Sequence, residues 1–337
     1  MINVGLVGFG LSGRFLQAPF FMSNRNFVLK SLVTSQEIPK YIFPDTKKAE
    51  SLDELINDPE IHLISIASPN PTHYEYAKKC LLAGKHILLE KPMTSTAAEA
   101  RDLIEIAKSK GLVMCVFQNR RFDGDFMTVK KVIESGVLGE ILSYEAHFDR
   151  FKPILNPKKW KETVAPGSGV LYDLGSHLID QAIYLFGKPE GAEGEVFIER
   201  AGSEIDDAFD LRLNYKNLRV TLKSSLMIKE QGPKYVVNGT KGSFIKYGLD
   251  VQEDQLKAGM TPDQEGFGKE GSQFDGHLRT EIGGLEYYGR VETIAGEWNQ
   301  LYDNLAFAIY GKNELIIQPE QILTQIEVIE QIKSKVS

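Results

Sequence analysis

The first third of the chain alternates short apolar runs with segments whose apolar residues recur every three or four positions. The apolar runs predict buried strands, and the recurring pattern predicts amphipathic helices. Strict alternation of the two predicts a parallel sheet with helices on both faces, which is a doubly wound Rossmann arrangement. The predicted strands cover residues 2–9, 27–35, 61–68, 85–92 and 112–119, and the predicted helices cover residues 12–23, 51–58, 72–84 and 95–111.

A different pattern follows residue 118. Alternation of apolar and polar residues predicts an antiparallel sheet that is open on one face. Residues 252–284 are rich in Gly, Asp, Glu and Gln, and we expect a loop insertion there. We therefore predict an α/β protein with a Rossmann domain at 1–118 and an α/β domain with a large, open, mostly antiparallel sheet at 119–337. In this second domain we predict helices at 125–135, 172–180, 297–310 and 318–335, and strands at 140–151, 194–202, 207–215, 218–228, 233–248 and 287–296.

Length, charge and cysteine content limit the class of protein. The 337 residues are long for one hydrophobic core, which favours two domains. A net charge of -7 without a basic tract argues against nucleic acid or an anionic membrane surface as the main partner. The two cysteines, Cys80 and Cys115, form neither a disulfide framework nor a metal-spaced set. With no signal-peptide pattern and no apolar run of membrane-spanning length, we expect a cytoplasmic protein.

The segment GFGLSG, residues 8–13, matches the G-x-G-x-x-G pattern of dinucleotide-binding turns. It directly follows a predicted strand and opens a predicted helix, which is the context that this pattern requires. We expect Gly8 to make the tight turn, Gly10 to let the backbone approach a pyrophosphate, and Gly13 to allow close packing of helix on strand. The N–H groups at the helix start would then face the phosphates. The alternative is a plain glycine turn.

The residues about twenty positions after this turn bear on the choice between NAD and NADP. NAD-binding domains of this kind usually place an acidic residue there, which bonds the ribose 2′-hydroxyl. This chain has Thr34, Ser35 and Gln36, with Glu37 slightly beyond the strand end and Lys40 nearby. Hydroxyls and a lysine suit a 2′-phosphate better, so we expect NADP, with NAD as the second choice. The alternative is that these are ordinary loop residues.

Two further segments lie at predicted strand ends, where a doubly wound sheet binds its ligands. The first is Ser68-Pro69-Asn70, followed by His73, and Thr72 is the predicted N-cap of the next helix. The second is Glu90-Lys91-Pro92, in which the proline favours extended backbone at Lys91 and a fixed turn. Taken alone, His73 would be a helix-start residue and Lys91 a surface charge.

The segment YDLGSHLID, residues 172–180, places a histidine between two acids. Asp173, His177 and Asp180 are spaced by four and three residues, so that in a helix they would share one face. Three interpretations are open: a metal site, a catalytic pair, or a helix with a polar face. The six histidines are scattered, with no second one at ligand spacing, and zinc or iron sites usually need more nitrogen or sulfur ligands. We therefore expect no metal.

Taken in order, Gly8-x-Gly10-x-x-Gly13, Glu90-Lys91-Pro92 and Asp173-x-Gly175-x-His177-x-x-Asp180 resemble the motif set of the Gfo/Idh/MocA oxidoreductases. The resemblance runs nearly the whole chain. It is strongest to NADP-dependent members that act on scyllo-inositol, through residues 119–123, 147–153, 167–187 and 244–254. The chain departs from them at Gln36, where an arginine for the 2′-phosphate is expected. The resemblance implies a nicotinamide cofactor, a sugar or polyol substrate, and a homodimer or homotetramer.

The resemblance also implies roles for individual residues. Lys91, Asp173 and His177 are the expected catalytic set, with His177 as base, Asp173 as its partner or a substrate ligand, and Lys91 holding the alkoxide. Asp180 is expected to anchor its helix. Cofactor contacts are expected at Gly8, Phe9, Gly10, Leu11, Ser12, Gly13, Thr34, Ser35, Ser68, Pro69, Asn70, His73, Glu90, Lys91, Pro92 and Asn119. Substrate contacts are expected at Lys91, Asn119, Arg121, Arg150, Lys152, Trp160, Tyr172, Asp173 and His177, with an interdomain salt bridge as the alternative for Arg121.

We therefore predict an NAD(P)-dependent dehydrogenase acting on CH–OH groups. It would interconvert a secondary alcohol and a ketone on a cyclic polyol or sugar, with scyllo-inositol and NADP as the leading pair. Another sugar, such as glucose or a keto-sugar, is the alternative within the same reaction class. A catalytically silent NADP-binding sensor on the same fold is the alternative from a different class.

Overall fold

The computed structural model describes residues 1–157 and 162–334, which form two compact units. The first unit contains residues 1–119, 252–267 and 297–323, and the second contains residues 120–251, 268–296 and those from 324 onward. The first break lies next to the predicted boundary at 118, but residues 252–267 and 297–323 belong to the second domain in the prediction. Tertiary packing places them in the first unit, where Tyr302 stacks on Phe20 with 4.7 Å between ring centroids.

The first unit is built on a parallel sheet of six strands. These are β1 (Ile2–Val7), β2 (Phe27–Val33), β3 (Lys47–Ala49), β4 (Leu63–Ile66), β5 (His86–Leu89) and β6 (Met114–Val116). Their order in the sheet is β3-β2-β1-β4-β5-β6, which is the order of a doubly wound Rossmann sheet. Central strands covered on both faces need apolar residues at successive positions, and β4 and β5 are buried along nearly their whole length. The predicted Rossmann fold is confirmed.

The second unit contains a mixed sheet of eight strands. These are β7 (Ile141–His147), β8 (Gly191–Phe197), β9 (Ala208–Asn214), β10 (Arg219–Ser225), β11 (Tyr235–Gly239), β12 (Gly242–Lys246), β13 (Gly276–Ile282) and β14 (Leu285–Val291). Their order is β14-β13-β12-β11-β7-β10-β9-β8, and all neighbours are antiparallel except β7 and β10. One face carries buried side chains such as Tyr144 and Leu222, whereas Glu145 and Thr221 on the other face are half-buried. The predicted large, mostly antiparallel sheet is confirmed.

The described helices mostly follow the predicted ones. They are α1 (Ala18–Ser23), α2 (Leu52–Asn57), α3 (His73–Leu82), α4 (Ala97–Ser109), α5 (Gly124–Glu134), α6 (Ser176–Phe186), α7 (Gln252–Lys257), α8 (Asn299–Ile309) and α9 (Pro319–Lys333). Local sequence explains several of their starts. Helix α4 begins with a capping box in which the Thr96 side chain accepts from the Glu99 N–H and the Glu99 carboxylate accepts from the Thr96 N–H.

Several local predictions differ from the structure. Thr72 is the N-cap residue of α3, as predicted, but its side chain does not cap the helix, because its hydroxyl donates to the Pro69 carbonyl oxygen at 2.7 Å and the chain enters through a 3₁₀ turn, Asn70–Thr72. The single helix predicted at 12–23 is a π-helical turn, Ser12–Gln17, followed by α1. The loop insertion predicted at 252–284 contains α7 and β13. Strand β13 is held by pairing with β12 and β14, and its many polar residues hide it in the sequence.

Candidate active site

The turn after β1 has the geometry that a dinucleotide phosphate requires. Gly8 has φ +96°, which favours glycine, and a Cβ there would lie 2.6 Å from the Ala67 carbonyl oxygen. A Cβ on Gly13 would lie 2.1 Å from the Gly8 carbonyl oxygen, so helix start and strand pack closely. A Cβ on Gly10 would meet no atom within 4 Å, which leaves the space over this residue open to a ligand. These residues fit a nicotinamide dinucleotide, whose pyrophosphate would lie over Gly10.

The other predicted cofactor residues of this turn have different environments. Phe9 is buried and packs edge-on against Phe43, with 5.5 Å between ring centroids, so its side chain belongs to the core. Leu11 is exposed. The Ser12 hydroxyl donates a hydrogen bond to the Glu90 carboxylate. The backbone of the turn therefore remains the main candidate for cofactor contact.

The segment after β2, where the cofactor ribose is expected, has a basic neighbour that the sequence analysis missed. The Lys40 ammonium donates to the Thr46 carbonyl oxygen at 2.6 Å. The Lys48 ammonium instead donates to the Gln36 carbonyl oxygen at 3.3 Å. Lys48 lies on β3, opposite Leu32 of β2, and the two lysines of this three-residue strand were its only sequence signal. Lys48 rather than Lys40 is the lysine that contacts the backbone of Gln36.

The segment after β4 is fastened to the segment after β5 by His73. This histidine is fully buried, and its two ring nitrogens lie 2.8 Å from the Pro92 carbonyl oxygen and 2.9 Å from that of Ser68. The Ser68 hydroxyl is hydrogen-bonded to that of Thr72 at 2.6 Å. His73 thus tethers two strand ends to each other. Cofactor contacts at Ser68, Pro69, Asn70 and His73 stay predictions.

The segment after β5 carries the predicted catalytic lysine. Glu90 is buried, and its carboxylate accepts from the Ser12 hydroxyl and, at 2.7 Å, from the Lys91 backbone N–H. Lys91 is half-buried, and its peptide bond to Pro92 is cis. Asn119, predicted to contact both cofactor and substrate, is buried at the start of a 3₁₀ turn, Asn119–Phe122, after β6. The glycine turn and the segment that carries Lys91 are therefore joined within the first unit through the Glu90 carboxylate.

In the second unit, Asp173 and His177 lie at a junction between two helical forms. Asp173 belongs to a π-helical turn, Leu171–Gly175, and His177 to the first turn of α6. Asp173 is exposed, whereas His177 is buried with 5% of its surface accessible. Gly169 precedes the turn with φ +96°, and a Cβ there would lie 2.1 Å from the Asp206 carboxylate. The backbone entering this segment therefore needs glycine.

Asp180 differs from the other two residues of the motif because it is paired. Arg121 donates to both its carboxylate oxygens, from Nε at 2.8 Å and from a terminal nitrogen at 2.7 Å. Both side chains are buried, and the guanidinium lies 4.4 Å from the centre of the Tyr184 ring. The expectation that Asp180 anchors its helix agrees with this pair. The ion pair lies inside the second unit rather than between domains, and a substrate contact by Arg121 stays a prediction.

The remaining predicted substrate residues are dispersed over the second unit. Tyr172 is buried with the Lys333 ammonium 5.2 Å from its ring centre. The Arg150 guanidinium lies 5.1 Å from the centre of the Phe148 ring, and Lys152 is exposed. Trp160 lies outside the described residues. Substrate roles for these side chains stay predictions.

A cavity of about 170 Å³ lies beyond the end of β7. It is lined by His147, Asp149, Gln231, Gly232, Lys234, Tyr247, Gly248, Leu249 and Phe274. Burial alone lowers the pKa of His147, but hydrogen bonds to Asp149 and Glu145 outweigh this effect and the pKa is raised. The imidazolium form is therefore stabilised at this wall of the cavity.

The described residues show neither a metal-binding cluster nor a membrane-spanning helix. Residues 1–157 and 162–334 contain no group of three or more His, Cys, Asp or Glu side chains that could hold a metal ion. Across the same residues, every helix is too short or too polar to cross a membrane.

Known proteins resemble this chain over almost its full length. It is 37% identical over 330 residues to scyllo-inositol 2-dehydrogenase (NADP(+)) IolW of Bacillus subtilis strain 168, covering 98% of this chain and 92% of that protein. It is 39% identical over 334 residues to the oxidoreductase YdgJ of Escherichia coli strain K12, covering 98% of this chain and 94% of that protein. The structure of the oxidoreductase yvaA from Bacillus subtilis has a TM-score of 0.94 and 36% identity, covering 99% of this chain and 95% of that one.

Two family models match the two parts of the chain. Residues 2–118 match the NAD-binding Rossmann fold of an oxidoreductase family. Residues 130–337 match the C-terminal alpha/beta domain of the same family. The resemblance that the motifs indicate is confirmed, and the chain belongs to the Gfo/Idh/MocA family of oxidoreductases.

Proposed function

We propose that this protein is an NADP-dependent dehydrogenase that interconverts a secondary alcohol and a ketone on a cyclic polyol or sugar, with scyllo-inositol as the leading substrate. The observation that carries the proposal is the 37% identity to IolW over 98% of the chain. The presence of Lys91, Asp173 and His177 at the positions of the family motif supports the same reaction class.

Oxidation of a secondary alcohol needs a hydride acceptor and a base for the hydroxyl proton. The nicotinamide ring, when bound, supplies the acceptor. The first unit offers the cradle for the dinucleotide, because the space over Gly10 is open and the turn around it is fixed by Gly8 and Gly13. The residues of this chain then have to bind the polyol, take up its proton and stabilise the developing charge.

We assign the proton transfer to His177. An imidazole ordinarily titrates close to neutral pH, so it can accept the proton during oxidation and return it during reduction. Its burial keeps water away from the ring. Asp173, four residues earlier and exposed, would support the imidazolium or bind an adjacent substrate hydroxyl.

We assign charge stabilisation to Lys91. An ammonium beside the reacting oxygen stabilises an alkoxide that forms only as the proton leaves. The buried Glu90 carboxylate accepts from the Lys91 N–H, which fixes the backbone that carries this ammonium. The lysine would then act from a preset position.

The segment after β2 supports NADP rather than NAD. Its residues 34–36 include no acid for a 2′-hydroxyl, with Glu37 one residue beyond them, and Lys48 lies beside Gln36 where a 2′-phosphate would need a cation. The Gln36 side chain donates to the Phe9 carbonyl oxygen at 3.1 Å, so this segment is tied to the glycine turn. Lys48 would bind the 2′-phosphate in place of the arginine that the family's NADP-dependent members have at the position of Gln36.

We propose Arg121 as the partner of Asp180 rather than as a substrate ligand, because its Nε and one terminal nitrogen donate to that buried carboxylate. Asn119, Arg150, Lys152, Trp160 and Tyr172 remain proposed ligands on the basis of family position. We also propose self-association to a homodimer or homotetramer, since one face of the sheet in the second unit is less buried than the other.

The test is reduction of NAD and NADP by purified protein with scyllo-inositol, myo-inositol and glucose, followed by absorbance of the reduced nicotinamide. We expect turnover with scyllo-inositol and NADP. Turnover with glucose alone would support the proposed reaction class but would show that glucose, and not scyllo-inositol, is the substrate. Tight nucleotide binding without turnover on any polyol would favour the silent sensor.

Lys91→Ala is the decisive variant for the mechanism. We expect kcat to fall about 100-fold or more while the dissociation constant of NADPH changes less than about threefold. Lys79→Ala, which removes an exposed lysine on α3, is the matched control and should behave as wild type. Normal turnover by Lys91→Ala would refute the proposed role of this residue.

A further inference from the structure

A chain of buried polar side chains lies beneath the glycine turn of the first unit. Gln17 ends the π-helical turn Ser12–Gln17, and Ser65 lies in the middle of β4. Both are completely buried, and Glu90 is 9% exposed. Central strands of a parallel sheet are normally apolar throughout, so a serine at this position needs an explanation.

Hydrogen bonds connect these side chains in one direction. The Ser65 hydroxyl donates to Gln17 Oε1 at 2.6 Å. Gln17 Nε2 donates to Ser12 Oγ at 3.1 Å and lies 3.4 Å from Glu90 Oε1, and the Ser12 hydroxyl donates to the same carboxylate oxygen. The second oxygen, Glu90 Oε2, accepts from the Lys91 N–H at 2.7 Å.

The chemistry of the groups fixes the orientation of the Gln17 amide. A carboxylate only accepts, so it must face the NH₂ group and not the amide oxygen. The amide oxygen then faces β4, where the Ser65 hydroxyl satisfies it. The Glu90 carboxylate therefore sets the orientation of the Gln17 amide, and Ser65 satisfies the amide oxygen that faces β4. Gln17 in turn holds both Ser12 and Glu90.

We infer that Gln17 and Ser65 are positioning residues, which fix the Glu90 carboxylate so that it joins the glycine turn of residues 8–13 to the backbone of Lys91. One carboxylate oxygen accepts a hydrogen bond from Ser12 of the turn, and the other accepts one from the backbone N–H of Lys91. Cofactor cradle and lysine are consequently held in one geometry. The part of this inference that concerns turnover rests on the proposed function, whereas the part that concerns the turn rests on the Rossmann fold alone.

A purely structural role predicts different behaviour. If the network serves stability only, removal of one of its polar groups lowers the melting temperature and leaves nucleotide binding and turnover unchanged. Gln17→Met keeps an unbranched side chain of similar length and removes both hydrogen-bonding groups. Ser65→Ala removes only the hydroxyl that donates to the amide oxygen. Thr46→Val is the control, because Thr46 is also buried in the first unit and its hydroxyl donates to the Leu29 carbonyl oxygen at 3.0 Å.

The experiment measures nucleotide dissociation constants by fluorescence of NADPH, kcat and KM for the polyol, and melting temperature. For Gln17→Met we expect about tenfold weaker NADPH binding and about tenfold lower kcat, with KM for the polyol within about twofold of wild type. For Ser65→Ala we expect the same pattern at about threefold. Thr46→Val should lower only the melting temperature.

The outcomes separate this inference from the proposed function. If both variants bind NADPH and turn over as Thr46→Val does, the network is only structural and the inference is overturned. If wild-type protein oxidises no polyol, the proposed substrate fails, and the NADPH arm still decides whether Gln17 and Ser65 position the turn. Should Gln17→Met fail to fold, Ser65→Ala decides in its place.

Discussion

Replacement of Asp180 by leucine should destabilise the second unit strongly, because it leaves a buried guanidinium without its carboxylate. Arg121 has a fully buried side chain, and Asp180 is 1% exposed. Both carboxylate oxygens accept from the guanidinium, which itself lies over the Tyr184 ring. Leucine is close to aspartate in size, so the main change is the loss of charge and hydrogen bonds.

The magnitude follows from this burial. Breaking a buried ion pair by removal of one partner costs about 3–5 kcal/mol. For a unit of this size each kcal/mol lowers the melting temperature by roughly 2–4 °C, so Asp180→Leu should lower it by roughly 6–20 °C. The double variant Arg121→Met with Asp180→Leu removes both charges and should recover most of that loss, within about 2 kcal/mol of wild type.

The assay combines urea unfolding followed by circular dichroism with hydrogen exchange read by mass spectrometry. Peptides covering residues 171–186 report on the second unit separately from the first. Lys188→Met is the matched control, because Lys188 forms an exposed ion pair with Glu327 in the same unit and should cost less than about 1 kcal/mol.

Two results would refute the reasoning. A cost for Asp180→Leu as small as that for Lys188→Met would show that the buried pair contributes little to stability. A double variant as unstable as the sum of the single variants would show that the two side chains act independently. The KM for the polyol in the double variant also decides the predicted substrate contact of Arg121, because a positioning role leaves KM nearly unchanged.

Two further predictions concern cofactor choice and pH. Lys48→Met should weaken NADPH binding about tenfold and leave NADH binding unchanged. Lys47→Met on the same strand is the control and should change the binding of neither nucleotide. If Lys48→Met weakened the binding of both nucleotides equally, Lys48 would not contact the 2′-phosphate. His147 has a folded-state pKa raised above its unfolded value of 6.5, so its stabilising contribution is complete below pH 6.5 and is lost as pH rises through the folded pKa. His147→Gln should therefore lower the melting temperature more at pH 5.5 than at pH 9, and a loss that is the same at both pH values would contradict this linkage.

Most of the architecture could be predicted because the strands and helices follow from short-range patterns of apolar and polar residues. Alternation of apolar runs and helical periodicity indicates the parallel sheet of the first unit, and period-two alternation indicates the sheet of the second. The exceptions are short or polar elements. Strand β3 has three residues, two of them exposed lysines, and β13 carries polar or charged side chains at most positions. Such strands are stable only because a neighbouring strand supplies their hydrogen bonds, which no local pattern reports.

The sequence also did not reveal which segments pack in which unit. The segments 252–267 and 297–323 follow the second domain along the chain but pack in the first unit. Tyr302 shows the cause, since it stacks on Phe20 and donates to the Leu16 carbonyl oxygen at 3.0 Å, nearly three hundred residues away in sequence. Contacts over such separations depend on the finished fold.

The sequence by itself determined the residue types of the candidate site: glycines where the backbone turns tightly, a lysine before a proline, and a histidine four residues after an acid. These follow from local backbone geometry and side-chain chemistry, which a motif preserves. Only the tertiary structure decided how they are supported. It paired Arg121 with Asp180 across 59 residues and joined Ser12 to Glu90 across 78. Buried polar groups must find partners wherever the fold brings them together, and for that reason their roles become visible only in three dimensions.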